Sequence, residues 1–472
     1  MNGPGVEGLT PARVAGSRLA GDGLQAGGPG GFTPYETGDP GPEPRGAGLT
    51  TQTLHASLED PALASMNFLN EVGSRYPGAV SFASGRPCEE FFDVKLIHHY
   101  LDRFCEYLEN VLGYSEARIG QTLFQYGRTK GIVHELIARN LEVDERIRIP
   151  AESVVVTVGC QEAMFIVLRV LRRDGRDVLL AVSPTYVGLT GAARLVDMPV
   201  WPVRSGPSGV DVDDLAVQAQ RARAQGLRPR ACYVMPDFSN PAGASLNLAD
   251  RHRLLAVAGQ EGILLLEDNP YGLFHDGAHA PTLKSLDTQR QVIYLGSFAK
   301  TGFPGARVGY VVADQEVTDT AGNVGFLADQ LSKIKSMVTV NTSAVAQAVV
   351  GGKLLEHDCC LAAANRRETA VYLRNLRQVQ TGLARRLPAS TGVSWNAPAG
   401  GFFVVVSLPF VADDELLEHS AREHGVLWTP MSHFYGEGGG QYQVRLACSQ
   451  LTTEQIETGL DRFATLLAEQ LR

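Results

Sequence analysis

Short apolar runs alternate with helix-like stretches through the middle of the chain. The runs are continuous rather than alternating in polarity, which is typical of strands buried on both faces. Strand, helix and strand in succession predict an α/β fold with a mainly parallel sheet covered by helices. The apolar runs lie at residues 154–158, 178–182, 232–235, 263–266, 292–295 and 308–312.

The pattern changes after about residue 360. A long helix is predicted at 362–387, strands at 393–395, 401–407 and 442–447, and a closing helix at 453–471. This order of elements predicts a second, smaller α+β domain.

The first 50 residues differ from both regions, because 14 of them are Gly and 7 are Pro. Such a segment cannot bury enough apolar surface to offset its ordering entropy. We therefore expect residues 1–57 to be mostly disordered, with the globular pattern beginning at about residue 58.

Composition narrows the possible partners. The net charge of the 472-residue chain is −9, so a nucleic acid is not expected as its main partner. No apolar run is long enough to span a membrane, and the N-terminus has no signal-peptide layout, so we expect a cytoplasmic protein. The seven cysteines form no C-x-x-C pair, which predicts reduced thiols and no metal site.

Chemistry-bearing residues follow the predicted strands, where ligands of open α/β sheets bind. Lys300, one of only seven lysines, lies in a loop of small residues after the run 292–295. Apolar surroundings lower the pKa of a lysine and favour amine chemistry. Asp268 follows the run 263–266, and a carboxylate there is costly unless it is paired. A salt bridge or a helix cap is the alternative role for Asp268.

Other strand ends carry weaker indications. Residues 159–161 open a helix and predict an anion site, with a tight turn as the alternative. Tyr186 could stack on a flat ligand or belong to the core. Asn240 could donate to a ligand oxygen or mark a turn.

Together these residues fit one cofactor, pyridoxal 5′-phosphate. Lys300 supplies the amine for covalent attachment, and Asp268 a carboxylate beside the pyridine nitrogen. The phenolate oxygen would accept hydrogen bonds from Asn240 and Tyr271, and Tyr186 would cover the ring. The groups expected to bind the phosphate are Gly159, Cys160, Gln161, Ser297 and Arg307.

The motifs Asn240-Pro, Asp268-x-x-Tyr271 and Ser297-Phe-Ala-Lys300-x-x-x-Pro-Gly-x-Arg307-x-Gly resemble those of the class I and II aminotransferases, which have PLP fold type I. Gln443-Val-Arg445-Leu-Ala resembles their arginine motif for the substrate α-carboxylate. The resemblance implies transamination between an amino acid and a 2-oxo acid, and a homodimer with shared active sites. It also implies that Tyr126 reaches the cofactor phosphate of the partner subunit.

The same resemblance implies a division of the chain. Residues 115–355 would form the large cofactor-binding domain, 58–114 an N-terminal arm and part of the small domain, and 356–472 the rest of the small domain.

Two further segments resemble a narrower branch. Ser81-Phe-Ala-Ser-Gly85-Arg86-Pro87 is similar to the N-terminal segment of 2-aminoadipate and aromatic aminotransferases. Tyr126-Gly-Arg-Thr-Lys-Gly131 resembles the dihydroxyphenylglycine transaminases of peptide-antibiotic pathways. The latter likeness implies an arylglycine and its aryl glyoxylate as substrates. Arg86, Arg128 and Asn240 are then candidates for contact with the substrate, and a surface or interface arginine is the alternative for Arg128.

Three other functions stay open. The chain could be an aromatic or 2-aminoadipate aminotransferase, or it could catalyse a lyase reaction on the same cofactor. A non-enzymatic regulator with an aminotransferase-like domain is disfavoured, because the Gly/Pro-rich N-terminus does not suit a helix-turn-helix domain.

Overall fold

A computed structural model describes residues 49–60, 63, 65, 71, 73–206, 209–277, 280–436 and 438–472. Residues 51–472 form one compact unit. The disorder predicted for residues 1–57 falls largely outside the described residues, which begin at Leu49.

The described strands are numbered in chain order. They are β1 (Val80–Ser81), β2 (Val154–Thr157), β3 (Asp177–Ser183), β4 (Val200–Gly206), β5 (Gly209–Val210), β6 (Arg228–Val234), β7 (Leu264–Asp268), β8 (Val292–Ser297), β9 (Gly309–Val312), β10 (Glu316–Thr318), β11 (Val324–Phe326), β12 (Ser394–Trp395), β13 (Phe403–Ser407), β14 (Val426–Leu427), β15 (Thr429–Pro430) and β16 (Gln443–Ala447).

The α-helices are referred to by their residues. They are Val94–Asn110, Glu116–Phe124, His134–Glu145, Gly159–Leu171, Val187–Leu195, Val212–Ala224, Leu248–Gln260, Leu283–Leu286, Leu327–Val338, Ala344–Glu356, Leu361–Ala364, Arg366–Arg386, Asp414–His419 and Thr453–Gln470. Among the described residues, no helix is long and apolar enough to cross a bilayer.

The large sheet has the strand order β2-β9-β8-β7-β6-β3-β4-β5. The central pairs from β4 through β3, β6 and β7 to β8 are parallel. Both faces are covered, since Val155 packs in one apolar cluster and its neighbours Val154 and Val156 pack in another. The predicted α/β architecture is confirmed.

Two details of the sheet differ from the sequence prediction. β9 runs antiparallel to both β2 and β8, because the connection 298–308 is shorter than the dozen or so residues that a parallel crossover needs. β4 was not predicted, because it lies near the sheet edge and is half exposed, so it has no continuous apolar run. Pro202 within β4 is tolerated near an edge.

A second sheet has the antiparallel order β12-β13-β16-β15. Its core includes Val404 and Val444, which pack with residues of the helices Arg366–Arg386 and Thr453–Gln470. The predicted helix at 362–387 is interrupted at Asn365, whose side chain donates to the carbonyl of Leu361 at 2.8 Å. β1 pairs with β14, which brings the N-terminal segment against this region. The domain boundaries at 115 and 355 stay predictions.

Candidate active site

Lys300 lies just beyond the carboxyl end of β8, at the edge where the parallel strands end. Its side chain is half-buried, and Nζ donates to the backbone carbonyl of Gly85 at 2.7 Å. Nζ also lies 5.9 Å from the ring centroids of Tyr271 and Phe402. Burial lowers the pKa of Lys300 to about 8, and nearby arginine charges act in the same direction. More of this amine is therefore neutral near pH 7 than of an ordinary lysine, which suits nucleophilic and base chemistry.

Asp268 ends β7 and is buried. Its Oδ2 accepts a hydrogen bond from the hydroxyl of Tyr233 at 2.6 Å, and its Oδ1 accepts one from Cys160 Sγ at 3.6 Å. Burial raises the pKa of Asp268 to about 6, and the two hydrogen bonds limit that rise. This carboxylate has no cationic partner within 4.0 Å among the described residues, so a nearby cationic ligand group would be strongly favoured.

Sequence reasoning missed Tyr233. It lies in β6, within the apolar run 232–235, and is 2% exposed. The indication available was a hydroxyl inside an otherwise apolar strand, which needs a buried partner. The neighbouring strand β7 supplies that partner in Asp268.

Arg445 is a buried cation whose observed partners are all neutral. Nη1 donates to Asn240 Oδ1 at 2.6 Å, and Nη2 donates to the carbonyl of Ala83 at 2.8 Å and to Thr429 Oγ1 at 3.3 Å. Within the described part of the chain, its buried Nε has no hydrogen-bond partner. Burial lowers the pKa of Arg445 to about 10. A buried guanidinium with neutral partners and an unused donor is suited to bind an anion such as a carboxylate.

Apolar and aromatic groups surround this cation. The guanidinium carbon lies 4.4 Å from the ring centroid of Phe403 and 4.8 Å from that of Phe434. Burial raises the pKa of Tyr271, and a hydrogen bond with Asn240 partly opposes the rise. Asn240 therefore contacts Arg445 and lies near Tyr271. Thr429, Ala83 and the two phenylalanines were not predicted, because nothing in their local sequence distinguishes them.

The helix Gly159–Leu171 begins beside Arg307. The N-cap residue, Val158, makes no capping hydrogen bond with its side chain, and its backbone nitrogen donates to Glu162 Oε2 at 2.6 Å. Gly159 has φ of +71°, and a Cβ on it would lie 2.5 Å from Arg307 Nη2. A Cβ on Gly309 would lie 2.7 Å from the backbone nitrogen of Cys160. Glycine at both positions lets a cation and a strand approach the helix start, which is suited to bind a phosphate.

The other predicted cofactor contacts lie at the same edge. Tyr186 precedes the helix Val187–Leu195, and burial, with the charge of Asp268, raises its pKa to about 12. Gln161 Nε2 donates to the carbonyl of Gly188 at 2.6 Å, so its amide is already engaged. Ser297 Oγ accepts from the backbone nitrogen of Ala299 at 3.2 Å, which leaves its hydroxyl hydrogen available.

Three predicted residues have their contacts elsewhere or face solvent. Tyr126 is 85% exposed. Arg128 forms an ion pair with Glu152 and a 3.0 Å hydrogen bond with His134 Nε2. These contacts favour the alternative for Arg128, a surface or interface arginine. Arg86 is also exposed, although its charge contributes to the lowered pKa of Lys300.

These features fit the cofactor that the sequence predicts. They combine the Lys300 amine with its lowered pKa, the buried carboxylate of Asp268 without a cationic partner among the described residues, and a helix start at which glycines let Arg307 approach. The orphaned Nε of Arg445 adds a position for a substrate carboxylate.

Comparisons with known proteins agree with this geometry. The family model for aminotransferases of class I and II matches residues 103–463. The chain is 60% identical over 424 residues to an (S)-3,5-dihydroxyphenylglycine transaminase of Amycolatopsis orientalis, which covers 90% of this chain and 96% of that protein.

Solved structures give the same result. One is the α-aminoadipate aminotransferase of Thermus thermophilus in complex with N-(5′-phosphopyridoxyl)-L-leucine. It has a TM-score of 0.73 and 28% identity, and the match covers 90% of this chain and 99% of that one. The kynurenine aminotransferase of Pyrococcus horikoshii, in complex with PMP, has a TM-score of 0.73 and 26% identity. That match covers 86% of this chain and 95% of that one.

Proposed function

Because the chain belongs to the class I and II aminotransferases, we propose that it exchanges the amino group of an arylglycine with the oxo group of a 2-oxo acid. The enzyme is a transaminase that uses pyridoxal 5′-phosphate. The arylglycine, such as 3,5-dihydroxyphenylglycine or 4-hydroxyphenylglycine, rests on the 60% identity to the dihydroxyphenylglycine transaminase. A role in peptide-antibiotic biosynthesis belongs to the same proposal.

The residues that would hold the cofactor lie along one sheet edge. Lys300 would attach it, and Asp268, oriented by Tyr233, would face its pyridine nitrogen. When bound, this cofactor supplies an electron sink for negative charge at the substrate Cα. The remaining proposed contacts are Tyr271 and Asn240 at the phenolate oxygen, Tyr186 on the ring, Tyr126 of the partner subunit at the phosphate, and Gly159, Cys160, Gln161, Ser297 and Arg307 at the phosphate.

Arg445 carries the proposal that the substrate is an α-amino acid. Its fork would bind the α-carboxylate and so fix the orientation of Cα. Once the substrate's amine has displaced it, the amine of Lys300, whose pKa is about 8, would move a proton from Cα to the cofactor's C4′ in the first half-reaction and from C4′ to the Cα of the second substrate in the reverse one. The first product leaves before the second substrate binds, so the kinetics should be ping-pong.

Arg86 is the remaining candidate for the substrate side chain. It is exposed, lies in the chain segment that includes Gly85, and contributes its charge near Lys300. Ring hydroxyls of an arylglycine would accept hydrogen bonds from such a guanidinium. Arg128 is a weaker candidate, because Glu152 and His134 already engage it.

We also propose a homodimer. Phe124, Tyr126 and Met337 are each at least 84% exposed, which is costly for side chains of this size in a monomer. The segments that carry them are neighbours, because a Cβ on Gly127 would lie 3.7 Å from Asn341 Nδ2. A second copy covering this patch would bring Tyr126 toward the partner's active site.

The experiment on substrate class mixes the purified enzyme with one amino donor at a time and follows the cofactor's visible absorbance. Dihydroxyphenylglycine should remove the absorbance, and adding a 2-oxo acid should restore it. Lys300→Ala is the matched control and should show neither change. A response to aminoadipate or phenylalanine alone would refute the arylglycine. Repeated turnover without a 2-oxo acid, giving more than one equivalent of product per active site, would indicate a lyase. If no amino acid changes the absorbance and the protein binds DNA in a mobility-shift assay, the protein would be a regulator.

Complementation tests the shared active site. Tyr126→Phe and Lys300→Ala homodimers are each expected to be impaired. Unfolding and refolding them together creates mixed dimers in which one of the two sites is intact. Recovery to about a quarter of wild-type activity is expected for random pairing. No recovery beyond the sum of the two variants would mean that Tyr126 acts in its own subunit or has no role.

A further inference from the structure

Three side chains of types that can bind a metal ion, those of His419, His424 and Glu469, lie together on the surface, outside the active site. His419 Nε2 lies 3.2 Å from Glu469 Oε1, and His424 Nε2 lies 2.9 Å from Glu469 Oε2. The two imidazole centroids are 5.5 Å apart. One donor atom from each residue lies within 4.8 Å of the other two.

The backbone explains why two histidines five residues apart meet. His419 ends the helix Asp414–His419, and the next turn, Ser420–His424, is π-helical. In an α-helix, residues five apart point about 140° away from each other. The wider π turn, with i→i+5 hydrogen bonds, brings them back toward one face, and such turns occur frequently at functional sites. Ser420 stabilises this turn, since its buried hydroxyl donates to the carbonyl of Val426 at 2.7 Å.

The donor set selects a class of ion. Two imidazoles and one carboxylate suit zinc and related first-row metals, whereas magnesium and calcium prefer oxygen ligands only. Metal–donor bonds of about 2.0–2.1 Å in tetrahedral geometry place neighbouring donors about 3.3 Å apart. The observed separations of 3.2 and 2.9 Å are close to that value, and they join the two histidines to different oxygens of Glu469. One donor atom from each residue lies within 4.8 Å of the other two, so binding an ion requires the side chains to move closer together.

We propose that His419, His424 and Glu469 bind one zinc-class divalent ion. The sequence prediction of no metal considered the cysteines alone, and this site uses none of them. Glu469 lies in the last turn of the helix Thr453–Gln470, whose Leu466 and Leu467 are buried in the apolar core. The ion would join that turn to the π-helical segment and so stabilise the end of the chain.

The test uses untagged holoenzyme that has been freed of metal with a chelator. Zinc is titrated in competition with a coloured chelator, and one ion per chain is expected. His424→Ala, His419→Ala and Glu469→Gln should each weaken binding at least about tenfold, because losing even an outer partner of a ligand has that effect. Zinc should raise the thermal midpoint of the wild type more than that of the variants. Transaminase activity without zinc should be the same in all of them.

His99→Ala is the matched control. His99 Nε2 lies 3.3 Å from Glu356 Oε2, so it is a surface imidazole–carboxylate pair in which the structure places no second histidine among the described residues. This variant should bind zinc as tightly as the wild type. Glu469→Gln keeps a polar group at the site and serves if a histidine variant folds poorly. The proposal is overturned if the wild type takes up no stoichiometric zinc, or if Glu469→Gln binds as well as the wild type.

Discussion

Replacing Arg445 with lysine tests how the active site recognises its substrate. Arg445 Nη1 and Nη2 are held by Asn240, Ala83 and Thr429, and its buried Nε has no partner among the described residues. A bound carboxylate would receive two parallel charge-assisted hydrogen bonds from the fork. A lysine ammonium offers a single point of contact, so one of the two would be lost.

The expected size of the effect follows from that single loss. A hydrogen bond to a charged group contributes about 1.5–3 kcal/mol. The value of kcat/KM should therefore fall roughly 10- to 150-fold in Arg445→Lys, mostly through KM. The ammonium would also be buried without an acidic partner, which adds to the loss.

The assay compares two amino donors that differ only in the carboxylate. Steady-state kcat/KM is measured for dihydroxyphenylglycine and for the corresponding dihydroxybenzylamine, in the wild type and in Arg445→Lys. The benzylamine should be a poor substrate for both, with a wild-type-to-variant ratio near one. An equal loss for both donors would refute the carboxylate role, because it would show that the substitution damages the site in general.

Three further predictions concern the groups that support the cofactor. Asp268→Asn should abolish most turnover, yet raise the unfolding free energy of the cofactor-free protein at pH 7 by up to about 3 kcal/mol in denaturant titrations. The pKa of Asp268 in the folded protein, about 6, lies above its ordinary value of 3.8, so ionisation of this carboxyl lowers the stability of the wild type as the pH rises through that window. If Asp268→Asn remained more stable than the wild type at pH 3.5, this reasoning would be contradicted. Tyr233→Phe removes a hydrogen bond to the Asp268 carboxylate, so it should weaken cofactor binding about 10- to 100-fold in equilibrium titration. An unchanged affinity for the cofactor would show that Tyr233 does not support Asp268. Gly309→Ala should displace β9 from the start of the helix Gly159–Leu171 and so lower the affinity for the cofactor. Gly305→Ala is the control, because its added Cβ would meet no atom within 4 Å and should leave the affinity unchanged. Equal effects of the two substitutions would rule out a steric cause.

Much of the chemistry could be predicted because it is encoded in short stretches. The segment from Ser297 to Gly309 carries the lysine and the arginine on one connection, and each flanking strand is an apolar run. Parallel strands end at one edge, so residues that follow them come together whatever the details of packing. The α/β fold, the family and the cofactor followed from such local patterns.

Residues whose roles depend on distant neighbours could not be found in this way. Tyr233 looked like part of an apolar strand until the sheet order set it beside Asp268. The carbonyl of Ala83 and the hydroxyl of Thr429 reach Arg445 from parts of the chain far apart in sequence. A half-exposed strand such as β4 also escapes prediction, because its burial depends on its place near the sheet edge.

The sequence by itself therefore determined most of the alternation of strands and helices, and the lysine, carboxylate and arginine that define the chemistry. Tertiary structure alone decided which neutral groups surround Arg445, which donors hold the Asp268 carboxylate, and that a π turn brings His419 and His424 to Glu469. The physical reason is the distance along the chain over which each kind of interaction acts. Backbone preferences and apolar periodicity act over a few residues, whereas desolvation and hydrogen bonding depend on whatever the completed fold brings within about 3 Å.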